Sequence, residues 1–487
     1  MVRKARIVAT IGPSVDSEPV LRSLIQAGVD VARLNFSHGT HEEHLERIRL
    51  LRALSKEFDR PVTILQDLQG PKMRVGDLPD GGIPLKAGQV VLLAPTDSDG
   101  AEPPSGGGSI RIPMDVPQLA RSVRPGNRVL LDDGQLELQV TEVRGDVVEA
   151  RVMLGGLLKS HKGVNLPGAS LDIPAFTEKD RLDLEFGLKH GIDVLAISFV
   201  RQPQDIEVVR HAIREIDPNK LDTPIIAKIE RPEALDHLHE IIHAADGVMV
   251  ARGDLAVETS PALVPIIQKR LIELAHRHAK IVITATQMLD SMIHNPRPTR
   301  AEASDVANAI FDGTDAVMLS GETASGEYPV EAVTMMDSII REAEANADKW
   351  GHGIQFPDEV PQEDSISIAR AAKELAEDRN IANVALFTQT GRTAVLMSKA
   401  RPKVPILAFT PEERTYRRLG LLWGVKAFLV PYASSVESML SHVEVGIAAS
   451  TDLQPGQQIV FISGYPVGER RLPNFALLYT LGDTGSS

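Results

Sequence analysis

Cysteine is absent from all 487 residues. That excludes a disulfide framework, a cysteine nucleophile, a thiolate metal site and an iron–sulfur cluster. Positive charge is also scarce. Lys and Arg total 52 against 66 Asp and Glu, for a formal charge of −14. Such a balance argues against a general nucleic-acid or anionic-membrane surface. It also means that an anionic substrate must be met by cations gathered locally. Long apolar runs are missing too: none reaches the ~18–20 residues that span a bilayer. After the basic opening come only residues 7–11 and then Gly12-Pro13, too short for a signal-peptide core. The chain is therefore expected to be cytoplasmic, with no membrane and no nucleic-acid partner. What remains is an ordinary globular balance, 43% hydrophobic and 24% charged, in a chain long enough for about three domains.

Eight short β-rich runs recur, at 5–11, 29–36, 62–68, 193–199, 224–229, 247–251, 281–285 and 315–319. Amphipathic segments of helix length fill most intervals, at 42–58, 178–190, 203–215, 232–244, 262–280, 300–311 and 330–348. Near-continuous apolar strands alternating with helices read as parallel sheet. Eight such units predict a (β/α)8 TIM barrel over 1–70 and 168–348. Between 71 and 167 no long helical pattern occurs. Gly and Pro are frequent, β-type runs stand at 89–93, 128–131 and 147–153, and residues 96–109, with glycines at 106–108, read as a flexible loop. This stretch is expected to be an inserted all-β domain, a β-barrel lid on the face where strands end. After Trp350 the composition shifts through Gly351-His352-Gly353 and the prolines of 357–361 into a C-terminal α/β unit, 349–487. Its strand-like runs are 383–387, 405–409, 425–430, 458–462 and 475–479.

Chemistry in such a barrel lives at the strand ends. There the sequence places Arg33 to His38, Gln66-Asp67, Ser198, Lys228 with Glu230, Arg252-Gly253-Asp254, Thr284 to Gln287, and Ser320-Gly321-Glu322. Ser, Thr and Asp are common helix caps, but Lys, Arg and Glu are poor ones, and they recur around one ring. Glu230 and Asp254, at the ends of adjacent strands, are the best metal pair. Oxygen-only ligation favours Mg²⁺ or Mn²⁺ over Zn²⁺. Lys228 shares a strand face with Glu230 and suits an oxyanion or a transferring phosphoryl group. Gly253-Asp254-Leu255 precedes the turn into a helix, where free N–H groups could hold an anion. Arg33 and Arg74 add guanidinium donors for phosphate oxygens. Residues 321–328 have the glycine spacing of a P-loop but carry Glu327 where lysine belongs, so they are not one. His38, His41 and His44, and His239 with His243, are expected to be exposed or capping histidines. A metal-dependent aldolase or a sugar-phosphate sensor would share parts of this pattern.

The segments 9–14 (ATIGPS), 32–40 (ARLNFSHGT), 69–71 (QGP), 162–168 (KGVNLPG), 227–231 (AKIER), 250–255 (VARGDL), 285–292 (ATQMLDSM), 296–302 (PRPTRAE) and 318–324 (MLSGETA) together resemble the pyruvate kinase family over essentially the whole chain. The resemblance implies a Mg²⁺-dependent phosphotransferase that converts phosphoenolpyruvate and ADP to pyruvate and ATP, the last step of glycolysis. It implies a homotetramer with a barrel, a lid and a C-terminal effector-binding domain. By resemblance Glu230 and Asp254 hold the metal. Lys228 and Arg33 meet the phosphoryl group, while Gly253, Asp254 and Thr286 hold the substrate. Arg74 and Lys162 contact nucleotide phosphates near Asn35, Ser37 and His38. Ser320 and Glu322 match candidates for delivering a proton to the enolate.

The family's K⁺ site matches Asn35, Ser37, Asp67 and the Leu68 carbonyl in members that continue Thr-Lys-Gly-Pro-Glu. This chain continues Leu68-Gln69-Gly70-Pro71-Lys72, similar to the K⁺-independent branch, with the Lys72 ammonium in place of the ion. Thr388, Gln389, Thr390, Gly391, Arg392 and Thr393 resemble the loop that holds an effector phosphate. Gln389 adds no second cation, and residues 463–471 depart from the usual Gly-Thr-Thr-Asn pattern. The expected effector is therefore a monophosphate, a sugar phosphate or AMP.

Overall fold

The computed structural model describes residues 3–71, 73–96, 110–116, 118–169, 173–351, 364–378, 380–469 and 471–482. Lys72, most of the expected loop 96–109 with its glycines, residues 352–361 and Arg470 lie outside the described residues.

Eight parallel strands close into a barrel: β1 Arg6–Thr10, β2 Val31–Asn35, β3 Thr63–Asp67, β4 Val194–Ile197, β5 Ile225–Ile229, β6 Gly247–Ala251, β7 Ile281–Ala285 and β8 Ala316–Leu319. Each pairs with its sequence neighbours, and β8 returns to β1. The expected fold class is the observed one. The strands are buried almost throughout, between the barrel interior and the helical ring, which is why they read as continuous rather than alternating apolar runs. Registers place Asn35 opposite Asp67 and Lys228 opposite Met249. Polar residues at the last positions of these strands therefore share one rim.

Most ring helices stand where periodicity placed them, among them His41–Glu57, Glu178–His190, Pro203–Ile216 and Arg300–Asp312. Thr40, Thr177 and Thr299 each open a helix with a reciprocal bond to the acid three residues on. Three details differ. The expected helix 232–244 is split into Glu233–Asp236 and Leu238–Ala244, because His237 leaves the helical region with φ −119° and ψ 22°. A helix Glu18–Ala27, unread in the sequence, buries Leu21, Leu24 and Ile25 and ends at Gly28, whose φ of 123° only glycine adopts readily. Most consequential, Gly253-Asp254-Leu255 do not precede a turn. Strand β6 runs directly into the short helix Arg252–Glu258, so these residues form its first turn.

Between β3 and the helix Glu178–His190 stands a seven-stranded mixed sheet with a two-stranded companion and one helical turn, Leu119–Ser122. In Leu136–Arg144 the side chains of Leu136, Leu138 and Val140 point inward at period two. The sheet's outermost strands meet at the bridge Arg74↔Gly163, backed by Val75 N–H to the Lys162 carbonyl at 2.9 Å. The strands that leave and re-enter the barrel are thus tied side by side.

The C-terminal unit is a five-stranded sheet in which Phe475–Thr480 alone runs antiparallel. It docks on the foot of the barrel, where strands begin. Asp315, just before β8, pairs with the fully buried Lys399 and with Arg401 at 2.7 Å. Interior barrel residues such as Val8, Leu65 and Met249 belong to one apolar cluster with Leu419 and Leu421 of this unit. No helix among the described residues is long and apolar enough to cross a membrane.

Candidate active site

The site is built around one buried carboxylate. Asp67 ends β3 and is 1% exposed. Arg33, from β2, brings Nε and Nη2 to Asp67 Oδ2, both at 2.7 Å, and donates from Nη1 to Thr10 Oγ1 at 2.9 Å. Lys228, from β5, lies 3.2 Å from Asp67 Oδ1 and 2.8 Å from Glu230 Oε1. It also donates to Ser198 Oγ at 2.8 Å, and that hydroxyl donates to the Leu68 carbonyl at 2.7 Å. Burial works against the Asp67 charge, but Lys228 and Arg33 hold its pKa below the ordinary carboxylate value. Burial likewise works against the Lys228 charge, and Asp67 and Glu230 overcome it, raising its pKa above the usual lysine value. Two buried cationic side chains are thereby fixed at the mouth. The sequence reading gave Asp67 to a monovalent-cation site; its position as counterion to Arg33 and Lys228 was not foreseen.

Glu230 and Asp254 are close enough to act on each other electrostatically. Glu230 Oε2 accepts the Phe199 N–H at 2.9 Å, and Phe199 holds a left-handed φ of 56° to aim it. Burial first, and the Glu230 carboxylate second, push Asp254 up to about 7, with Asp133 of the inserted sheet adding to the effect. No group of three His, Cys, Asp or Glu among the described residues could hold a metal by itself. Two oxygen donors with further positions left for substrate and water fit Mg²⁺ or Mn²⁺.

Next to Asp254 the backbone is under strain. Thr286 and Gln287 have φ of 63° and 53°; such conformations cost about 1–3 kcal/mol each, and a β-branched threonine is a strong outlier there. The Gly253 N–H donates to Thr286 Oγ1 at 2.8 Å. Arg252 bonds the carbonyls of Ala285 and Thr286 and pairs with Asp305. Arg252 stood in the sequence only as one of the cations on the rim; the signal was its place directly before Gly253-Asp254.

Ser320 and Glu322 follow β8. Glu322 is 1% exposed, and its oxygens accept the N–H groups of Leu289 at 3.0 Å and Ser320 at 2.7 Å. Burial raises its pKa against those bonds. It braces the two loops after β7 and β8. The Ser320 hydroxyl is buried with no hydrogen-bond partner among the described residues.

On the inserted sheet, Lys162 pairs with Asp132 at 2.8 Å, and Arg74 lies on the strand that bridges to Gly163. Asn165 donates to Glu258 at 2.9 Å, which also pairs with Arg231 at 3.0 Å. The insert is thereby tied to the helix that carries Asp254. Asn35 accepts the Ser37 N–H at 3.1 Å. Among the histidines, His239 and His243 are exposed, but His44 corrects the expectation: it is 2% exposed, stacks on Phe36 at 4.1 Å and meets the His38 carbonyl at 3.0 Å. The His44 position on the inward stripe of its helix, with Ile48 and Leu51, explains the burial.

The loop Thr388 to Thr393 lies far from this rim. It lines a cleft of about 800 Å³ against the barrel foot, facing Lys280, Asp222 and Arg414, and on its other side a small pocket shared with Ser463, Glu469 and Arg471. Within the loop, Thr388 Oγ1 accepts the Gly391 N–H at 3.0 Å, and Gly391 carries a left-handed φ of 86° into the helix Arg392–Ala400.

The chain matches two family models in order. "Pyruvate kinase, barrel domain" covers residues 2–333 and "Pyruvate kinase, alpha/beta domain" covers residues 366–477. A pyruvate kinase of Corynebacterium efficiens is 41% identical over 485 residues, 99% of each chain. One from Clostridium perfringens is 44% identical over 467 residues, 96% of this chain and 97% of that one. Pyruvate kinase 2 of Synechocystis is 46% identical over 469 residues, 95% of this chain and 76% of the relative. With the barrel, the mixed sheet and the docked α/β unit all in place, this chain belongs to the pyruvate kinase family of phosphotransferases.

Proposed function

We propose that the chain moves a phosphoryl group from phosphoenolpyruvate to ADP at the rim of β2, β3, β5, β6 and β7. The observation that carries this reading is the buried Lys228 ammonium, kept charged by Asp67 and Glu230 beside the Arg33 guanidinium. Phosphoryl transfer asks for positioning and charge neutralisation rather than covalent help. A cation desolvated in advance supplies that without reorganisation. In this reading Arg33 and Lys228 contact the phosphoryl group, and Lys228 stabilises the enolate that remains. Gly253, Asp254 and Thr286 hold the carboxylate end. Glu230 and Asp254 would hold Mg²⁺ or Mn²⁺, which would supply positive charge to offset that of the anionic substrates when bound. Arg74 and Lys162 receive the nucleotide phosphates, Lys162 releasing Asp132 to do so, with Asn35, Ser37 and His38 alongside. For protonation of the enolate, the unpartnered hydroxyl supports Ser320 as the donor, with Glu322 as its brace.

Three further readings belong to the same proposal. Activity without K⁺ rests on Lys72, outside the described residues, and on the expected ion ligands already being engaged: Asp67 by Arg33 and Lys228, the Leu68 carbonyl by Ser198. Activation by a phosphorylated metabolite rests on the loop Thr388 to Thr393. Division into a barrel of 1–70 and 168–348, a lid of 71–167 and an effector domain of 349–487, assembled as a homotetramer, follows the family. Coupled pyruvate formation from phosphoenolpyruvate and ADP is the test, run with and without K⁺ and with glucose 6-phosphate, ribose 5-phosphate, AMP and fructose 1,6-bisphosphate. The wild type turns over without K⁺ and responds to a monophosphate, while Lys228→Met loses about 10³-fold and stays folded. An undiminished Lys228→Met rate overturns the mechanism. A many-fold rise with K⁺ overturns the cation reading, and strongest activation by the bisphosphate overturns the effector reading.

A further inference from the structure

Arg252 is 8% exposed, and its guanidinium is spent on another loop. Nε donates to the carbonyl of Ala285 at 3.1 Å and lies 3.2 Å from that of Thr286, while Nη2 donates to the Thr286 carbonyl at 2.7 Å. Nη1 grips both oxygens of Asp305, at 2.8 and 2.7 Å. From the opposite side the neighbouring Gly253 N–H holds Thr286 Oγ1 at 2.8 Å, and that hydroxyl reaches the Ala285 carbonyl at 2.7 Å. Thr286 is thus clamped at its carbonyl and at its hydroxyl by two consecutive residues of one helix. The backbone conformation so imposed, φ 63° at Thr286 and 53° at Gln287, is one these residues would not choose alone. Arg252 uses Asp305 to fix its plane and turns its remaining edge on the two carbonyls that set the direction of Thr286.

We propose that Arg252, oriented by Asp305, is a positioning residue for phosphoryl transfer, holding Thr286 in the left-handed conformation that presents its hydroxyl beside Gly253 and Asp254. The inference rests on Thr286 being a substrate contact. The planar guanidinium reaches the two carbonyls and the carboxylate from separate nitrogens held in one fixed plane, a geometry that a lysine ammonium, a single nitrogen on a flexible stem, does not reproduce.

The test uses the full-length enzyme carrying Arg252→Lys, Thr286→Ala, both together, or Asp305→Asn. It reads kcat and the KM for phosphoenolpyruvate and for ADP separately, with thermal melting. Expected are a ~10–100-fold loss of kcat/KM for phosphoenolpyruvate in Arg252→Lys, a KM for ADP within about twofold of wild type, and a double variant no worse than Thr286→Ala. Asp305→Asn, which leaves the guanidinium in place, shows a smaller loss of the same kind and stands in if Arg252→Lys fails to fold. If Thr286→Ala leaves phosphoenolpyruvate kinetics unchanged, the substrate reading of Thr286 falls and the proposal with it. If Thr286→Ala is impaired while Arg252→Lys only melts earlier, or the two losses multiply in full, Arg252 is structural and the proposal alone is overturned.

Discussion

At the scale of single residues, His44 carries a pH signature. Burial, more than any neighbour, lowers its pKa to about 4 against an ordinary 6.5. Between these values the unfolded chain binds a proton that the folded chain refuses, so stability falls as pH drops through this window and is unaffected above it. The contribution is about 2 kcal/mol between pH 7 and pH 5. His44→Phe keeps a stacking ring on Phe36 and removes the titration. Urea melts at the two pH values should show the wild type losing about 2 kcal/mol more than the variant on acidification; equal losses would contradict the assignment. The same residue marks a limit of sequence reading. Histidines at i, i+3 spacing gave no reason to separate His44 from His38 and His41, because burial depends on which stripe of the helix meets Phe36. Lys228, Glu230 and Asp254 were legible because strand ends in a parallel barrel converge by topology alone. The Asp67 role was not, since two cations from β2 and β5 meet there only after the barrel closes.

Among elements, the helix Arg300–Asp312 steers the site without touching it. Its N-terminal Thr299 and Glu302 form a capping box. Glu302 does more: it accepts the Ser291 N–H at 2.7 Å and the Ser291 hydroxyl at 2.5 Å, fastening the segment that follows Thr286 and Gln287. One turn on, Asp305 holds Arg252. Glu302→Ala should therefore cost about 1–2 kcal/mol as a lost cap. Hydrogen exchange should quicken selectively between residues 288 and 295, with the strands of the barrel unchanged. Uniform quickening would mean that Glu302 serves global stability only. The helix Arg252–Glu258 escaped sequence reading for a related reason. Seven residues with one glycine carry no periodic stripe, and the contacts that hold the helix, Glu258 with Asn165 and Arg231, come from distant segments.

On the scale of the whole molecule, the join between barrel and C-terminal unit contains a buried ionic cluster. Lys399 and Asp315 are each 1% exposed, Arg401 joins them, and its guanidinium lies 4.1 Å from the Trp423 ring centroid. Removing one member of such a cluster strands the others. Asp315→Asn, which removes the carboxylate that two buried cations share, should cost about 3–5 kcal/mol in urea denaturation. Lys399→Met, which leaves Arg401 paired, should cost clearly less; the reverse ranking would mean that packing rather than charge holds the join. The −14 charge of the chain takes on meaning at this scale too, because Arg33 and Lys228 owe their fixed positions to carboxylates rather than competing with them.

The placement of that join has a geometric consequence. Asp315 and Ser320 stand at the two ends of β8, Ala316–Leu319, about 16 Å apart by strand rise. The strand contains neither glycine nor proline and is buried throughout. The ion cluster at the barrel foot and the Glu322 brace at the rim are thus the two ends of one short strand, and Glu322 reaches on through the Leu289 N–H to the loop beyond Thr286.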